Sequence, residues 1–202
     1  GADYARLAAR LWELRREQNL TGNTVFYLST PPELSRRIPV FLAQQGLHEE
    51  TDGFKRIVIE KPFGHDGASA RGLHALLHRH FAEPQLFRID HYLGKETVQN
   101  LVVLRFANTL FDTVWDYRHI DAVEITAAES LGVEKRAGYF DGSGIVRDMI
   151  QNHLLQVLAL AAMDPPQKFD APCVHAETLK VLRGLRPLSP EDLERNVVFG
   201  QY

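Results

Sequence analysis

The 202-residue chain contains a single cysteine, Cys173, so no disulfide can form within it. Such a composition is typical of proteins from reducing compartments. The sequence also lacks an apolar run long enough to span a membrane, and no signal peptide is recognisable before its first predicted helix at residues 4–18. From these absences we expect a cytoplasmic protein with no membrane partner.

Basic residues are not in excess, since the formal net charge is -3 and the sequence pI is about 6.3. A nucleic-acid partner is therefore not expected, and any bound phosphate must be held by a few local cations. Hydrophobic residues make up 45% of the chain, which is enough to form the core of a soluble globular protein with one large or two small domains.

Two familiar ligand motifs are also missing. The dinucleotide loop G-x-G-x-x-G does not occur, because Gly142 and Gly144 are followed by Arg147 at the position of the third glycine. His74 and His78 have the i, i+4 spacing of a helical zinc site, but the sequence motif lacks its glutamate and third ligand. We therefore predict no metal site.

The run RIDHYLGKE at residues 88–96 places an acid, an imidazole, a phenol and an ammonium group around one glycine. Residues 86–89 are predicted as a short strand, and residues 97–106 as an amphipathic helix. The run therefore lies at a strand-to-helix turn, where the positive end of the helix favours an anion and where His91 and Lys95 can add hydrogen bonds. We expect a phosphate here; the alternative is a solvated turn with a capping acid.

Two further strands are predicted at residues 24–28 and 56–59, followed by helices at residues 33–45 and 70–81. Strands that alternate with helices predict a parallel sheet with crossover helices. Turn-forming or polar residues follow each strand, and in such sheets ligands bind outside the carboxyl ends of the strands. We therefore predict a ligand cleft at that edge.

The pattern changes after residue 121. Residues 122–129 alternate in polarity and predict a strand in which Glu129 shares the apolar side; alternatively, the strand frays before Glu129 and the acid is solvated. Residues 134–141 are predicted as a loop, and Ser143 as the N-cap of a long helix at residues 144–163.

His153 lies within the apolar stripe of that long helix. Apolar residues recur every four positions around it, namely Ile145, Met149, Val157 and Ala161. A lone histidine in such a stripe is more often a core residue than a catalytic one. Asp148 precedes His153 by five positions and points in another direction on a regular α-helix, so a carboxylate that orients His153 should come from elsewhere in the fold.

Four motifs in this order resemble the glucose-6-phosphate dehydrogenase family: IEKPFG at residues 59–64, RIDHYLGKE at 88–96, RAGYFD at 136–141 and RDMIQNHLLQ at 147–156. The resemblance runs from about residue 24 to the C-terminus. It implies oxidation of β-D-glucose 6-phosphate to 6-phosphogluconolactone, the first step of the pentose phosphate pathway, with hydride transfer to NADP. The choice between NADP and NAD stays open.

The resemblance also implies a role for each matching residue. His153 resembles the general base that removes the proton of the C1 hydroxyl group, and Asp90 resembles the carboxylate that pairs with it. The residues that resemble phosphate ligands are His91, Tyr92 and Lys95. The acids that resemble acceptors of sugar hydroxyl groups are Glu129 and Asp148. Lys61 resembles a lysine between sugar and coenzyme, and Pro62 resembles the proline that shapes its turn on the coenzyme side.

For the fold, the resemblance implies an α/β region followed by an α+β region. Residues 1–90 would form the C-terminal half of a Rossmann-like NADP-binding domain, and residues 91–202 the start of a substrate and dimerisation domain with a large antiparallel sheet. The chain would then be an internal fragment with little or no activity alone, and its full-length parent a homodimer or a dimer of dimers.

Two alternatives remain open. Sugar dehydrogenases of the glucose-fructose oxidoreductase type also place Glu-Lys-Pro after a strand, but they usually act on unphosphorylated sugars, which do not need His91 and Lys95 at a helix N-terminus. The other alternative is a non-catalytic fragment that binds no coenzyme and serves only as an interaction module.

Overall fold

The computed structural model describes residues 1–128, 130, 132 and 137–200. The chain forms two compact units, Gly1–His91 and Tyr92–Tyr202. Among the described residues, no helix is both long enough and apolar enough to cross a membrane.

The first unit is built on a sheet of three parallel strands in the order β1-β2-β3, which are Thr24–Leu28, Lys55–Glu60 and Leu86–Ile89. The predicted parallel sheet is therefore confirmed. Leu28 pairs with Ile59, and Glu60 pairs with Ile89. Because of this register, the carboxyl ends of the strands lie nearly level at one edge of the sheet.

Three α-helices belong to this unit: α1 (Ala2–Gln18), α2 (Ile38–Gln44) and α3 (Gly67–His78). The single helix predicted at residues 33–45 is wrong, because a 3-10 helix at Pro32–Arg36 precedes α2. Pro39 explains the division: it has no N–H group to donate, and its ring clashes with the carbonyl group four residues earlier in a continuous helix. A second 3-10 helix, Glu83–Gln85, leads into β3.

The core of the first unit lies on one side of the sheet. Its buried residues are Leu28, Leu42, Leu47, Ile57, Ile59, Leu73, Leu77, Phe81 and Leu86. Burial alternates along β2, so that Ile57 and Ile59 face the helices. On the other side, Val25 and Tyr27 are each 55% exposed and Phe87 is 47% exposed. The described residues therefore cover only one face of the sheet.

The second unit contains α4 (Glu96–Phe106), α5 (Thr109–Asp112), α6 (Ala137–Ile145), a π-helix (Val146–Leu154), α7 (Leu155–Ala162), α8 (Ala171–Gly184) and α9 (Pro190–Asn196). Both α4 and α8 pack against α7. Every regular element assigned to the described part of this unit is helical. The large antiparallel sheet is thus not shown, and it stays a prediction.

The strand predicted at residues 122–129 is wrong for the residues that can be assessed. Residues 122–128 belong to no helix or strand, and Glu129 lies outside the described residues. A strand is stabilised by hydrogen bonds to a neighbouring strand, and alternation in sequence cannot supply that neighbour. No neighbouring strand occurs in the described part of this unit.

The helix predicted at residues 144–163 also differs from the structure. Helix α6 already begins at Ala137, within the predicted loop, and its break lies at Gly144, one residue after the proposed cap Ser143. Gly144 has φ 71° and ψ 163°, a conformation that glycine adopts without steric cost. A π-helix then takes the place of the first turns of the predicted α-helix.

Candidate functional site

Lys61 and Asp90 both lie at the carboxyl edge of the first unit's sheet. Lys61 follows β2 directly and Asp90 follows β3 directly, and the last residues of these two strands pair with each other. The two side chains therefore start from neighbouring positions at the edge, and both residues are half-buried. His91, the next residue, is exposed.

The turn after β2 has a backbone that its sequence explains. The Lys61–Pro62 peptide bond is cis, and Gly64 has φ 123°. A Cβ atom at Gly64 would lie 2.6 Å from the backbone nitrogen of Ala70, so the turn requires glycine there. Asp66 then caps α3 by accepting a hydrogen bond from Ser69 N at 2.7 Å, which also lowers the pKa of the Asp66 carboxyl group. The turn is thus fixed against the start of α3.

The histidines of α3 have a carboxylate neighbour that their local sequence did not indicate. Glu83 Oε2 lies 2.8 Å from His78 Nε2, and Glu83 Oε1 accepts a hydrogen bond from Arg88 at 2.8 Å. Arg88 Nη2 also lies 3.4 Å from His74 Nδ1. Hydrogen bonding from Arg88, with the nearby charges of Arg88, His78 and His74, lowers the pKa of Glu83. The guanidinium group makes this cluster an ion-pair network and disfavours a cation there.

In the second unit, the ring of Tyr92 is stacked on the ring of His153. The ring centroids are 4.0 Å apart and the planes are inclined by 16°. Lys95 Nζ lies 3.5 Å from the centroid of the same Tyr92 ring. Two groups this close to one centroid would overlap on the same face, so the ammonium group and the imidazole lie on opposite faces of Tyr92.

Lys95 also occupies the N-cap position of α4 and makes no side-chain capping bond. The unpaired N–H groups and the dipole of a helix favour an anion at this end. Glu96 in the first turn adds a competing negative charge. An anion bound here would therefore depend strongly on the ammonium group of Lys95.

The π-helix changes which residues share a side with His153. Asp148 and His153 are its two buried residues, at 7% and 0% exposure. Hydrogen bonds in a π-helix join residues five apart, so positions i and i+5 lie about one turn from each other. The prediction that Asp148 and His153 point in different directions is therefore wrong. It assumed α-helical geometry over residues 146–154.

The end of the helix that follows His153 is held by side chains from outside it. Arg105 Nη1 donates to Leu160 O at 2.6 Å, and Arg105 Nη2 donates to Met163 O at 2.9 Å. Trp115 Nε1 donates to Ala161 O at 2.8 Å. Neither donor was predicted from the sequence, although an arginine in phase with the apolar face of α4 is a signal that points to Arg105.

The structure thus groups the predicted site residues in two sets. The first unit holds Lys61, Pro62, Asp90 and His91, and the second holds Tyr92, Lys95, Asp148 and His153. The pairing of Asp90 with His153 joins residues of different units and stays a prediction. Glu129 lies outside the described residues, so its role stays a prediction as well.

Comparisons with known proteins agree over the whole chain. Residues 1–100 match the family described as "Glucose-6-phosphate dehydrogenase, NAD binding domain", and residues 102–202 match "Glucose-6-phosphate dehydrogenase, C-terminal domain". Glucose-6-phosphate 1-dehydrogenase of Aggregatibacter actinomycetemcomitans is 56% identical over 201 residues, which are 100% of this chain and 41% of that protein. The Bacillus subtilis enzyme of the same name is 45% identical over 98% of this chain and 40% of its own length.

Two solved structures are also similar. A glucose-6-phosphate dehydrogenase in complex with its substrate glucose-6-phosphate has 41% identity and a TM-score of 0.84, over 94% of this chain and 39% of that one. Glucose-6-phosphate 1-dehydrogenase from Mycobacterium avium has 44% identity and a TM-score of 0.74, over 83% of this chain and 37% of that one. The chain spans about two fifths of the length of the relatives it matches. It belongs to the glucose-6-phosphate dehydrogenase family.

Proposed function

We propose that the complete protein carrying this chain oxidises β-D-glucose 6-phosphate to 6-phosphogluconolactone, with hydride transfer to NADP. The observation that carries the proposal is the position of Tyr92 between Lys95 and His153. A hexose 6-phosphate has an anion at one end and the reacting C1 hydroxyl group at the other. Lys95 on one face of the Tyr92 ring can bind the phosphate, and His153 on the other face can act as the base at the C1 hydroxyl group.

The phosphate end of the substrate is assigned to the N-terminus of α4. Lys95 supplies the positive charge, and the first backbone N–H groups of α4 supply further donors. His91 and Tyr92 are proposed as additional phosphate ligands. A sugar without a phosphate would leave Lys95 without its anion, so the site favours the phosphorylated substrate.

The base is assigned to His153. Oxidation of the C1 hydroxyl group requires loss of a proton from its oxygen as hydride leaves C1, and an imidazole in contact with that oxygen can accept the proton. Asp90 is proposed to pair with the other ring nitrogen and to stabilise the imidazolium ion as it forms. The buried position of His153 supports a fixed ring orientation, which this role requires. Asp148 and Glu129 are proposed to accept hydrogen bonds from sugar hydroxyl groups.

The coenzyme is assigned to the first unit. A parallel sheet with polar residues at its carboxyl edge fits a dinucleotide, and Lys61 and Pro62 stand at that edge. The bound nicotinamide would supply the hydride acceptor at C4. Lys61 would then lie between the coenzyme and the sugar, and the rigid turn at Gly64 would hold its backbone in place.

Three further properties follow from the family assignment as proposals. The domain boundary is placed at residue 90, with a coenzyme domain before it and a substrate and dimerisation domain after it. The complete protein is proposed to be cytoplasmic and to assemble as a homodimer or a dimer of dimers. The second domain of the complete protein is proposed to contain a large antiparallel sheet.

The proposal is tested by turnover in the complete protein. We expect the reduced coenzyme to form when glucose 6-phosphate is the substrate. The values of kcat/KM with NADP and with NAD show which coenzyme is preferred. Lys95→Ala should lower kcat/KM for glucose 6-phosphate. The loss of transition-state stabilisation should be about 1.5–3 kcal/mol, the value of one charge-assisted hydrogen bond. The kcat/KM for glucose should fall much less. Lys168→Ala is the matched control, because Lys168 is also an exposed lysine of the second unit.

Two results would contradict the proposal. Absence of turnover with glucose 6-phosphate and either coenzyme would remove the assigned reaction. An equal loss for glucose and glucose 6-phosphate in Lys95→Ala would show that Lys95 serves the fold or the coenzyme and does not bind the phosphate.

A further inference from the structure

Arg105 has an unusual environment for a charged side chain. It is 5% exposed, and burial lowers the pKa of its guanidinium group, while the nearby charges of Asp164 and Asp112 oppose that shift. It donates hydrogen bonds to two backbone carbonyl groups, and its Nε atom has no hydrogen-bond partner among the described residues. The guanidinium carbon also lies 4.5 Å from the ring centroid of Phe106 and 5.2 Å from that of Trp115.

The carbonyl groups that Arg105 binds are those that a helix cannot satisfy internally. The last four C=O groups of an α-helix have no partner within the helix, and Leu160 and Ala161 belong to the last turn of α7. Arg105 and Trp115 together bind Leu160 O, Ala161 O and Met163 O. A positive charge at this end also interacts favourably with the helix dipole. The two side chains therefore cap α7, and we call this group of contacts the α7 clamp.

The α7 clamp lies at one end of α4, and the stack on His153 lies at the other. Arg105 is in the last turn of α4, whereas Tyr92 precedes its first turn. The π-helix that contains His153 continues directly into α7. The helix bearing His153 is thus attached to the α4 segment at two points: the ring of Tyr92 and the α7 clamp. Two attachments at opposite ends of α4 fix the position of the helix along α4 more closely than either one alone.

The α7 clamp stabilises the end of α7, because it satisfies carbonyl groups that would otherwise be unpaired. Fixed placement of a base has a separate effect, because a displacement of about 1 Å in a reacting group can lower a rate by about 10²-fold. We propose that Arg105, assisted by Trp115, is a positioning residue that holds His153 against Tyr92.

This inference rests on the proposed function for its effect on rate, but the placement of His153 can be measured without any turnover. Protons of an imidazole stacked on an aromatic ring experience the ring current of that ring. In the complete protein with labelled histidine, the ring signal of His153 is assigned by its loss in His153→Asn. Its position then reports the stack on Tyr92 directly.

The variants are chosen to separate positioning from packing. Arg105→Met keeps an unbranched apolar stem and removes both hydrogen bonds. Arg105→Lys keeps the charge and can bind one carbonyl group. Trp115→Phe removes only the bond to Ala161 O and keeps the ring, so it supplies a milder second test if Arg105→Met does not fold. Arg183→Met, at an exposed arginine in the last turn of α8, is the matched control.

We expect Arg105→Met to shift the His153 ring signal and to lower kcat for glucose 6-phosphate by about tenfold to a hundredfold. Arg105→Lys should shift the His153 signal and lower kcat less than Arg105→Met does. Trp115→Phe should also have a smaller effect on both measurements than Arg105→Met. Arg183→Met should change neither. An unchanged His153 signal and an unchanged kcat in folded Arg105→Met, with only a lower Tm, would overturn the inference and leave Arg105 a structural cap.

The two proposals can fail separately. If the complete protein does not turn over glucose 6-phosphate, the proposed function fails while the His153 signal still tests the α7 clamp. If turnover is normal and neither the signal nor kcat responds to the Arg105 and Trp115 variants, the α7 clamp fails as a positioning device while the proposed function stands.

Discussion

The two units differ in what they bury. The first has a continuous apolar core, and its buried polar residues mostly bind backbone carbonyl groups, as Lys55 and Gln85 do. Over its described residues, the second unit buries fewer large apolar side chains and includes Arg105, Asp148 and His153 in its interior. From this difference we infer that the first unit is a scaffold that carries functional residues at the edge of its sheet. The second unit instead buries its functional side chains among its helices.

The largest effect is expected at His153. If it removes the proton in the transition state, His153→Asn should lower kcat by about 10² to 10⁴ with little change in KM. Asp90→Asn should have a similar effect. The double variant should lose far less transition-state stabilisation than the sum of the losses in the two single variants. Active-site-normalised kcat and Tm are measured for all three, with the exposed His175→Asn as the control. Normal kcat in a destabilised His153→Asn protein would show that His153 is a core residue. The second unit would then differ from the first only in composition and not in burying a catalytic group.

The next effect is one of stability in the first unit. Ile57 is 0% exposed on the covered face of β2, so Ile57→Ala should lower the free energy of unfolding by about 2–5 kcal/mol through lost burial and a cavity. Val25→Ala, on the open face of the same sheet, should cost much less. Denaturant unfolding measures both. A scaffold should leave kcat of the folded protein unchanged in both variants, and a large loss of kcat in folded Ile57→Ala would contradict that role.

A smaller effect is expected at the turn that carries Lys61. Gly64→Ala adds a Cβ atom 2.6 Å from a backbone nitrogen at φ 123°, so it should cost about 1–3 kcal/mol of unfolding free energy. Gly67→Ala is the control, since its Cβ atom would meet only the end of the flexible Arg71 side chain at 3.2 Å. If Lys61 acts from this turn, folded Gly64→Ala should also show a higher KM. Equal stability of the two alanine variants would remove the steric argument.

The smallest effect concerns the ion-pair network of Glu83. Because the folded pKa of Glu83 lies below its usual value of about 4.3, its ionised form stabilises the fold above that value and loses this contribution as the pH falls through the folded pKa. Glu83→Gln should therefore destabilise the protein by less than about 1 kcal/mol at pH 7, since the side chain is half-exposed. The difference should shrink as the pH falls through the folded pKa of Glu83. Glu49→Gln, in the same unit, is the control, and a difference that persists at low pH would point to packing.

Much of the first unit could be predicted from sequence because its signals are local. The bounds of β1 and β3 followed from short apolar runs, and their parallel pairing followed from alternation with helices. The division of the helix at residues 33–45 was missed although Pro39 marks it. Glu83 as a neighbour of His78 could not be predicted, because only the folded chain brings the 3-10 helix next to α3.

In the second unit, the identity of the important residues was easier to predict than their geometry. His153 and Tyr92 were both singled out, but their stacking depends on how the segment before α4 packs against the π-helix. The α7 clamp depends on carbonyl groups, which have no signature in the side-chain sequence. The apolar stripe around His153 was predicted with α-helical spacing, and Ile145 at its start is in fact 44% exposed.

The π-helix has a consequence for how this segment can vary in length. A π-turn holds one residue more than an α-turn at the same place, so it can be regarded as an accommodated insertion. Deleting a single residue between Asp148 and His153 would allow α-helical hydrogen bonding through the segment. After that deletion Asp148 and His153 would be four residues apart, which is about one turn of an α-helix, so the two side chains would still share a side. The π-helix therefore holds these two buried groups on the same side with one more residue between them than an α-helix would place there.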